Sequence, residues 1–192
     1  MPDELVLSLY GTLAGAMTPD TFVSGEAATV VPLQGQRLGS MYLPPNGGTS
    51  TSYLETLRLA LVHERRSARG EPIGLDLAFS TPRAWLGDGK TIQVVRAPTS
   101  FGLVSYVIRR RGNVIRVVVD SAAAPSVRIR LRLPTGRRIG KVEMSGRRLA
   151  FDPVSGTIRL PGHASTTLRL VVGLSGGAAT RHRPVSGLRS AR

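Results

Sequence analysis

The sequence predicts a mainly β protein: an antiparallel β-sandwich preceded by two helices and a long loop. Three observations carry this expectation. Apolar residues recur at helical spacing in the first third of the chain and at a spacing of two from Pro72 onward. The second part is cut at short intervals by turn sequences: Asp88-Gly89, Arg111-Gly112-Asn113, Pro134-Thr135-Gly136, Ser145-Gly146 and Ser155-Gly156. Between the two helical stretches, residues 18–49 carry Pro19, Gly25, Pro32, Gly35, Gly39, Pro44, Pro45, Gly47 and Gly48, a density that breaks any regular element.

The first helix is expected over residues 3–17. Leu5, Leu9, Leu13 and Ala16 share a face, and Val6 and Tyr10 widen it. Asp3 is placed to cap it, and Glu4 suits the positive end of the helix dipole. Gly11 and Gly15 weaken it in isolation and admit a second backbone. Few polar residues are left to face water, so this helix needs packing on more than one side. The loop 18–49 is mostly uncharged, and Phe22, Val23, Met41, Tyr42 and Leu43 argue against disorder. The second helix is expected over 50–66, with Ser50, Thr51 or Ser52 as cap, Ser52 and Glu55 matching a capping box, and Gly70 and Pro72 as stop.

Strands are expected at 73–79, 91–96, 103–110, 114–120, 126–133, 138–144, 147–151, 157–160 and 167–173. The clearest alternation is Val127-Arg128-Ile129-Arg130-Leu131-Arg132-Leu133, with aliphatic residues inward and three arginines on a solvated face that discourages edge pairing. The chain thus divides into a helical segment 1–70, a β-sandwich domain 71–174 and a tail 175–192. The tail is rich in Gly, Ser, Ala and Arg and is expected to be disordered.

Composition narrows the function. Hydrophobic residues make up 41% and aromatics 5%, so a core exists and is built mostly from Val, Leu, Ile and Ala. The absence of cysteine excludes a disulfide framework, a zinc–thiolate site and a thiol nucleophile. No stretch is apolar for long enough to cross a bilayer as a helix, and no membrane partner is expected. Met1-Pro2-Asp3-Glu4 lacks the basic residues of a signal peptide; if the parent protein is exported, its signal is expected upstream, as in a truncated product, and the sequence assigns no compartment.

The net charge of +14 is uneven: residues 1–70 carry −1, 71–174 carry +11 and the tail +4. Such a basic domain suits an acidic partner. Arginine nevertheless outnumbers lysine 24 to 2, which reads first as a base-composition bias.

No phosphate-binding or dinucleotide motif is present, and His63, His163 and His182 are isolated, so neither cofactor nor metal is expected. The loop holds the candidate site. Phe22-Val23-Ser24-Gly25-Glu26 sets the Glu26 carboxylate among small residues, and Ser40-Met41-Tyr42-Leu43-Pro44-Pro45-Asn46 adds the Tyr42 phenol and the Asn46 amide. Carboxylates bind and protonate sugars, and aromatic faces stack on their rings. The other acid of the loop, Asp20, sits in Thr18-Pro19-Asp20-Thr21, which reads as a turn or helix start.

These residues also carry a resemblance. Leu7-Ser8-Leu9-Tyr10-Gly11-Thr12-Leu13-Ala14, Thr21 to Glu26 and Ser40 to Asn46 resemble the closing part of the α/α toroid in bacterial six-hairpin glycoside hydrolases. The α-L-rhamnosidase-like members of that group end in a β-sandwich. Ser80-Thr81-Pro82-Arg83-Ala84-Trp85-Leu86 with Gly89-Lys90 resembles the approach to that sandwich. Val104 to Arg109, the Gly112 turn and Val114 to Val117 resemble its hairpin. The resemblance implies the carboxy-terminal end of a carbohydrate-active enzyme, its helical segment a remnant of the toroid. The β-domain would support the missing toroidal barrel, and the 18–49 loop would line a sugar cleft. Glu26, Tyr42 and Asn46 are then substrate-binding residues. No residue is assigned as catalytic acid or base, and the chain alone is expected to be inactive. A stand-alone carbohydrate-binding module is the alternative, and its ligand an acidic polysaccharide. A nucleic-acid-binding protein using Arg128, Arg130 and Arg132 on phosphates ranks third.

Overall fold

The computed structural model describes residues 2–28, 41–121, 124–161 and 166–176. Helix α1 (Pro2–Gly15) comes first. A two-stranded ribbon follows, β1 (Ala27–Ala28) against β2 (Met41–Tyr42), and then helix α2 (Gly47–Leu61). Eleven strands complete the described chain: β3 (Val62–Arg66), β4 (Pro72–Leu77), β5 (Thr91–Thr99), β6 (Gly102–Arg111), β7 (Val114–Ser121), β8 (Val127–Arg130), β9 (Arg138–Met144), β10 (Arg147–Arg148), β11 (Phe151–Asp152), β12 (Thr157–Leu160) and β13 (Thr166–Ser175). A 3-10 turn, Arg83–Leu86, lies between β4 and β5.

The strands form two sheets. One has the order β10-β9-β13-β7-β6-β5, the other β11-β12-β8-β4-β3. The predicted mainly β sandwich behind two helices is what the chain forms. Pairing is antiparallel except between β4 and β8, which run parallel with Leu75 opposite Val127 and Leu77 opposite Ile129.

Alternation along each strand fills the space between the sheets. Tyr106, Ile108, Ile115, Val117, Leu170 and Val172 come from the larger sheet, and Val62, Leu75, Leu77, Ile129, Ile158 and Leu160 from the smaller; all lie in one buried cluster. The Tyr106 hydroxyl donates to Leu61 O at 2.9 Å, so the buried phenol is satisfied, and burial pushes its pKa up. At the edge, Glu64 ties the sheets together by accepting from Ser100 N (3.1 Å) and Ser100 Oγ (2.6 Å). Burial pushes the Glu64 carboxyl up, but these bonds with Arg58 and Arg66 outweigh it and hold it below the usual range.

Several boundaries differ from the sequence expectation. The second helix, expected over 50–66, starts at Gly47 and gives way at Leu61, and residues 62–66 pair with β4. Val62-His63-Glu64-Arg65-Arg66 fits either period, and pairing with β4 decides it. The cap of α2 is Asn46 rather than a serine or threonine at 50–52, because its Oδ1 accepts from Thr49 N at 2.8 Å. Gly47 and Gly48 therefore open the helix, where a turn breaker costs less than in the interior. The expected strand 147–151 splits: β10 joins β9 in one sheet, and β11 joins β12 in the other. Of the tail read as 175–192, Ser175 closes β13 and Gly176 accepts from Arg137 (2.9 Å); the remainder lies outside the described residues. So do residues 29–40 of the long loop and the histidines His163 and His182.

Helix α1 is held to the sandwich through charge. Pro2 occupies its first turn, and the Asp3 carboxylate reaches outward instead of capping its own helix. Asp3 accepts from Arg83 N at 2.8 Å, pairs with the Arg83 guanidinium and accepts from Arg132 Nη2 at 3.0 Å. The Arg83 backbone bond, helped by Arg132, lowers the Asp3 pKa against the opposing effect of burial. A depressed pKa contributes stability that is fully present above the unfolded value, about 3.9. That contribution is lost as pH falls through the folded value. Val6 and Tyr10 of α1 line a cleft with Trp85, the one tryptophan. Acidification is therefore expected to release α1 and shift Trp85 fluorescence below about pH 4, and Asp3→Asn to remove that step while the sheets stay folded. A Trp85 signal with the same acid transition in both proteins would remove Asp3 as its cause.

Candidate functional site: an arginine-lined cleft

The outer face of the smaller sheet is built by register. His63 on β3 faces Asp76 on β4, Asp76 faces Arg128 on β8, and Arg128 faces Arg159 on β12. Leu75 and Leu77 point inward, so Asp76 between them must point out. Even so, Asp76 is only 2% exposed. Arg128 covers it bidentately, Nε to Oδ1 and Nη2 to Oδ2, both at 2.6 Å. Arg65 adds a third bond at 3.1 Å, and His63 Nδ1 lies 3.8 Å away. The hydrogen bond to Asp76 raises the Arg128 pKa above its ordinary value, outweighing burial.

Arg65 reaches Asp76 by crossing Gly74. A Cβ at Gly74 would lie 2.3 Å from Arg65 Nη2 and 2.4 Å from Ser126 O, so a side chain there would displace the arginine and the backbone beside it. Arg65 Nη2 continues to Ser126 Oγ at 2.8 Å and links β3 to the start of β8.

The arginine row read as a solvated face is thus largely engaged. Arg128 holds Asp76, and Arg132, with a side chain 9% exposed, holds Asp3 and donates to Thr81 O at 2.9 Å. Arg130 donates through Nε to Ser155 O at 3.0 Å. Arg128 and Arg130 also lie over the Phe79 ring, 5.5 and 5.0 Å from its centroid. Asp76 and Asp3 bring these contacts from distant positions in the chain, and no local pattern announces them.

Beside this row opens a cleft of about 520 Å3. Phe79, Arg130 and Arg159 line it together with Phe151, Asp152 and Thr157. Arg159 is exposed and has no hydrogen-bond or ion-pair partner among the described residues. Burial first, then the neighbouring cations Arg132 and Arg83, lower the Arg130 pKa. Arg130 also lines a second cleft of about 340 Å3, shared with Arg137 and Arg138. The arrangement can hold an anion. It contains no hydroxyl or amine hydrogen-bonded to a histidine, and among the described residues no three His, Asp or Glu gather as metal ligands.

The loop residues predicted as a sugar site lie elsewhere. Ala27 pairs with Tyr42, and Asn46 N donates to Ser24 O at 2.7 Å, so Tyr42 lies in the ribbon and Glu26 and Asn46 flank it. Glu26 is exposed at its end. Asn46 spends its side-chain oxygen on the cap of α2, and the buried Ser24 hydroxyl donates to Asn46 O at 2.8 Å. Asp20 sits in a turn, as read, with φ of 64°. His63, expected within the second helix, belongs to β3 and faces Asp76. The signal that marks the arginine face in sequence is Leu75-Asp76-Leu77 followed by Phe79, one acid inside an apolar run.

Replacing Asp76 by alanine leaves Arg65 and Arg128 without a counter-charge on a part-buried surface. The expected cost is about 3 kcal/mol in a urea unfolding titration. Asp76→Asn, which keeps the shape but not the charge, should recover only part of it. An Asp76→Ala midpoint equal to that of the parent would show that the arginines find other partners.

No family model matches this chain, and neither a curated protein nor a solved structure does.

Proposed function

We propose that the chain is the support domain of a carbohydrate-active enzyme, with a sandwich that is not itself catalytic. In this reading α1 and α2 are the part that packs against a helical toroid. The observation that carries it is the state of the two helices. Each buries a single residue, Leu9 in α1 and Ala60 in α2. Leu7 (71%), Tyr10 (61%) and Leu54 (63%) stand largely exposed. Exposed apolar side chains on both helices, with so little of either helix buried, suit packing against a further apolar partner. The partner that fits is a helical toroid, because the runs of α1 and of the segments flanking the ribbon resemble the closing part of the glycoside hydrolase toroid. The Asp3 clamp and the Ser24–Asn46 bonds would keep these helices aligned with the sandwich, and the exposed Glu26 beside the ribbon would face the sugar cleft.

The purified chain is expected to bind a hydrophobic dye and to self-associate with rising concentration. Leu7→Ser combined with Leu54→Ser should reduce both without lowering the melting temperature of the sandwich. It should also leave aryl glycosides uncleaved. A monomer that binds no dye, or glycoside turnover that is lost in Glu26→Gln, would falsify the support role.

A further inference from the structure

The geometry points to the cleft between Phe79 and Phe151 as a binding site for a sugar acid, with Arg159 and Arg130 gripping its carboxylate. The site is separate from the helical face and stands or falls independently of the support role.

The first ground is charge. Around this face six arginines (Arg65, Arg83, Arg128, Arg130, Arg132 and Arg159) meet three aspartates, Asp3, Asp76 and Asp152. Asp76 and Asp3 are each shared by two arginines, which leaves Asp152 as the one aspartate of the three for both Arg130 and Arg159. Arg130 uses Nε on Ser155 O, and its Nη atoms make no hydrogen bond among the described residues. Packing over Phe79 holds its guanidinium in place, and Arg132 and Arg83 crowd it with positive charge that Asp152 offsets only in part. A guanidinium fork presents parallel donors that match a carboxylate.

The second ground is the rest of the lining. The volume, about 520 Å3, lies within the usual range for small-molecule sites, roughly 300–1,000 Å3. Leu149, Ala150 and Phe151 supply an apolar wall, and Thr157 a hydroxyl. Asp152 stands at the lip. It accepts from Ser155 Oγ at 2.5 Å and Val154 N at 2.9 Å, which hold it ionised. This carboxylate disfavours a doubly charged phosphate and can accept hydrogen bonds from ligand hydroxyls. One negative charge, neighbouring hydroxyls and an apolar ring face are the chemistry of a uronate residue. A nucleic-acid strand needs a run of free cations along its backbone, and Arg128 and Arg132 are already committed to aspartates.

The test is titration calorimetry on the full chain at about 0.15 M salt, where exposed charges are screened. The probes are a galacturonate oligosaccharide, its neutral galactose counterpart, inorganic phosphate and a single-stranded DNA oligonucleotide. Saturable binding of the uronate alone is expected. Arg159→Gln removes an exposed side chain without partners, so folding should be unaffected while affinity falls about tenfold or more. Arg169→Gln, an equal loss of charge on the larger sheet, should change nothing. Equal weakening by the two variants, no saturable uronate binding, or tighter Arg159-dependent binding of phosphate or DNA would each overturn the proposal.

Discussion

Asp76 sits where a sheet would ordinarily show water a polar face, yet almost no water reaches it. A carboxylate so buried is tolerated only when its charge is met and its lone pairs are filled. Arg128 and Arg65 do both, and in doing so they bind β4 to β8 on one side and to β3 on the other. The β4–β8 pair is the one parallel pairing in the described sheets. The ion cluster spans it on the outer face, while Leu75, Leu77, Val127 and Ile129 close it on the inner face. The absence of a side chain at Gly74 is a condition of the same cluster, since the Arg65 guanidinium occupies that space.

The helices depend on this sheet in a different way. Their burial is slight, so packing alone places them weakly, and polar ties supply the rest. Asp3 joins α1 to Arg83 and Arg132, the Tyr106 hydroxyl holds the end of α2, and Asn46 with Ser24 fastens its beginning to the ribbon. Tyr53 of α2 lies near Tyr10 of α1, and burial, then that neighbour, raises its pKa. The sandwich has one continuous core, whereas the helices are anchored at few points and keep Leu7, Leu54 and Leu59 exposed.

Arginine in this chain therefore does three distinct things. Some side chains neutralise buried aspartates, some satisfy backbone carbonyls, as Arg110 does at Leu86 O and Gly112 O, and a few remain without a counter-charge. Net charge alone does not separate these roles. The surplus collects beside Phe79 because Asp76 and Asp3 are already shared between pairs of arginines, which leaves Asp152 alone for Arg130 and Arg159.

The sequence by itself determined the fold class and most strand positions, from β4 to β9 and at β12 and β13. A spacing of two between apolar residues is a local property that survives in any sandwich, and glycine turns such as Gly112, with φ of 57°, are local too. The candidate loop site was legible only as a set of residue types, and its Asn46 proved to be the cap of α2. Tertiary structure alone decided that residues 62–66 extend rather than coil, that β10 and β11 part to different sheets, and that Arg128 and Arg132 are paired with aspartates. For the first and the last of these the deciding partner is distant in sequence: Leu77 for Val62, Asp76 for Arg128, and Asp3 for Arg132. Local pattern sets which face a side chain takes, but the charge that meets it there is supplied only when the sheets and the first helix come together.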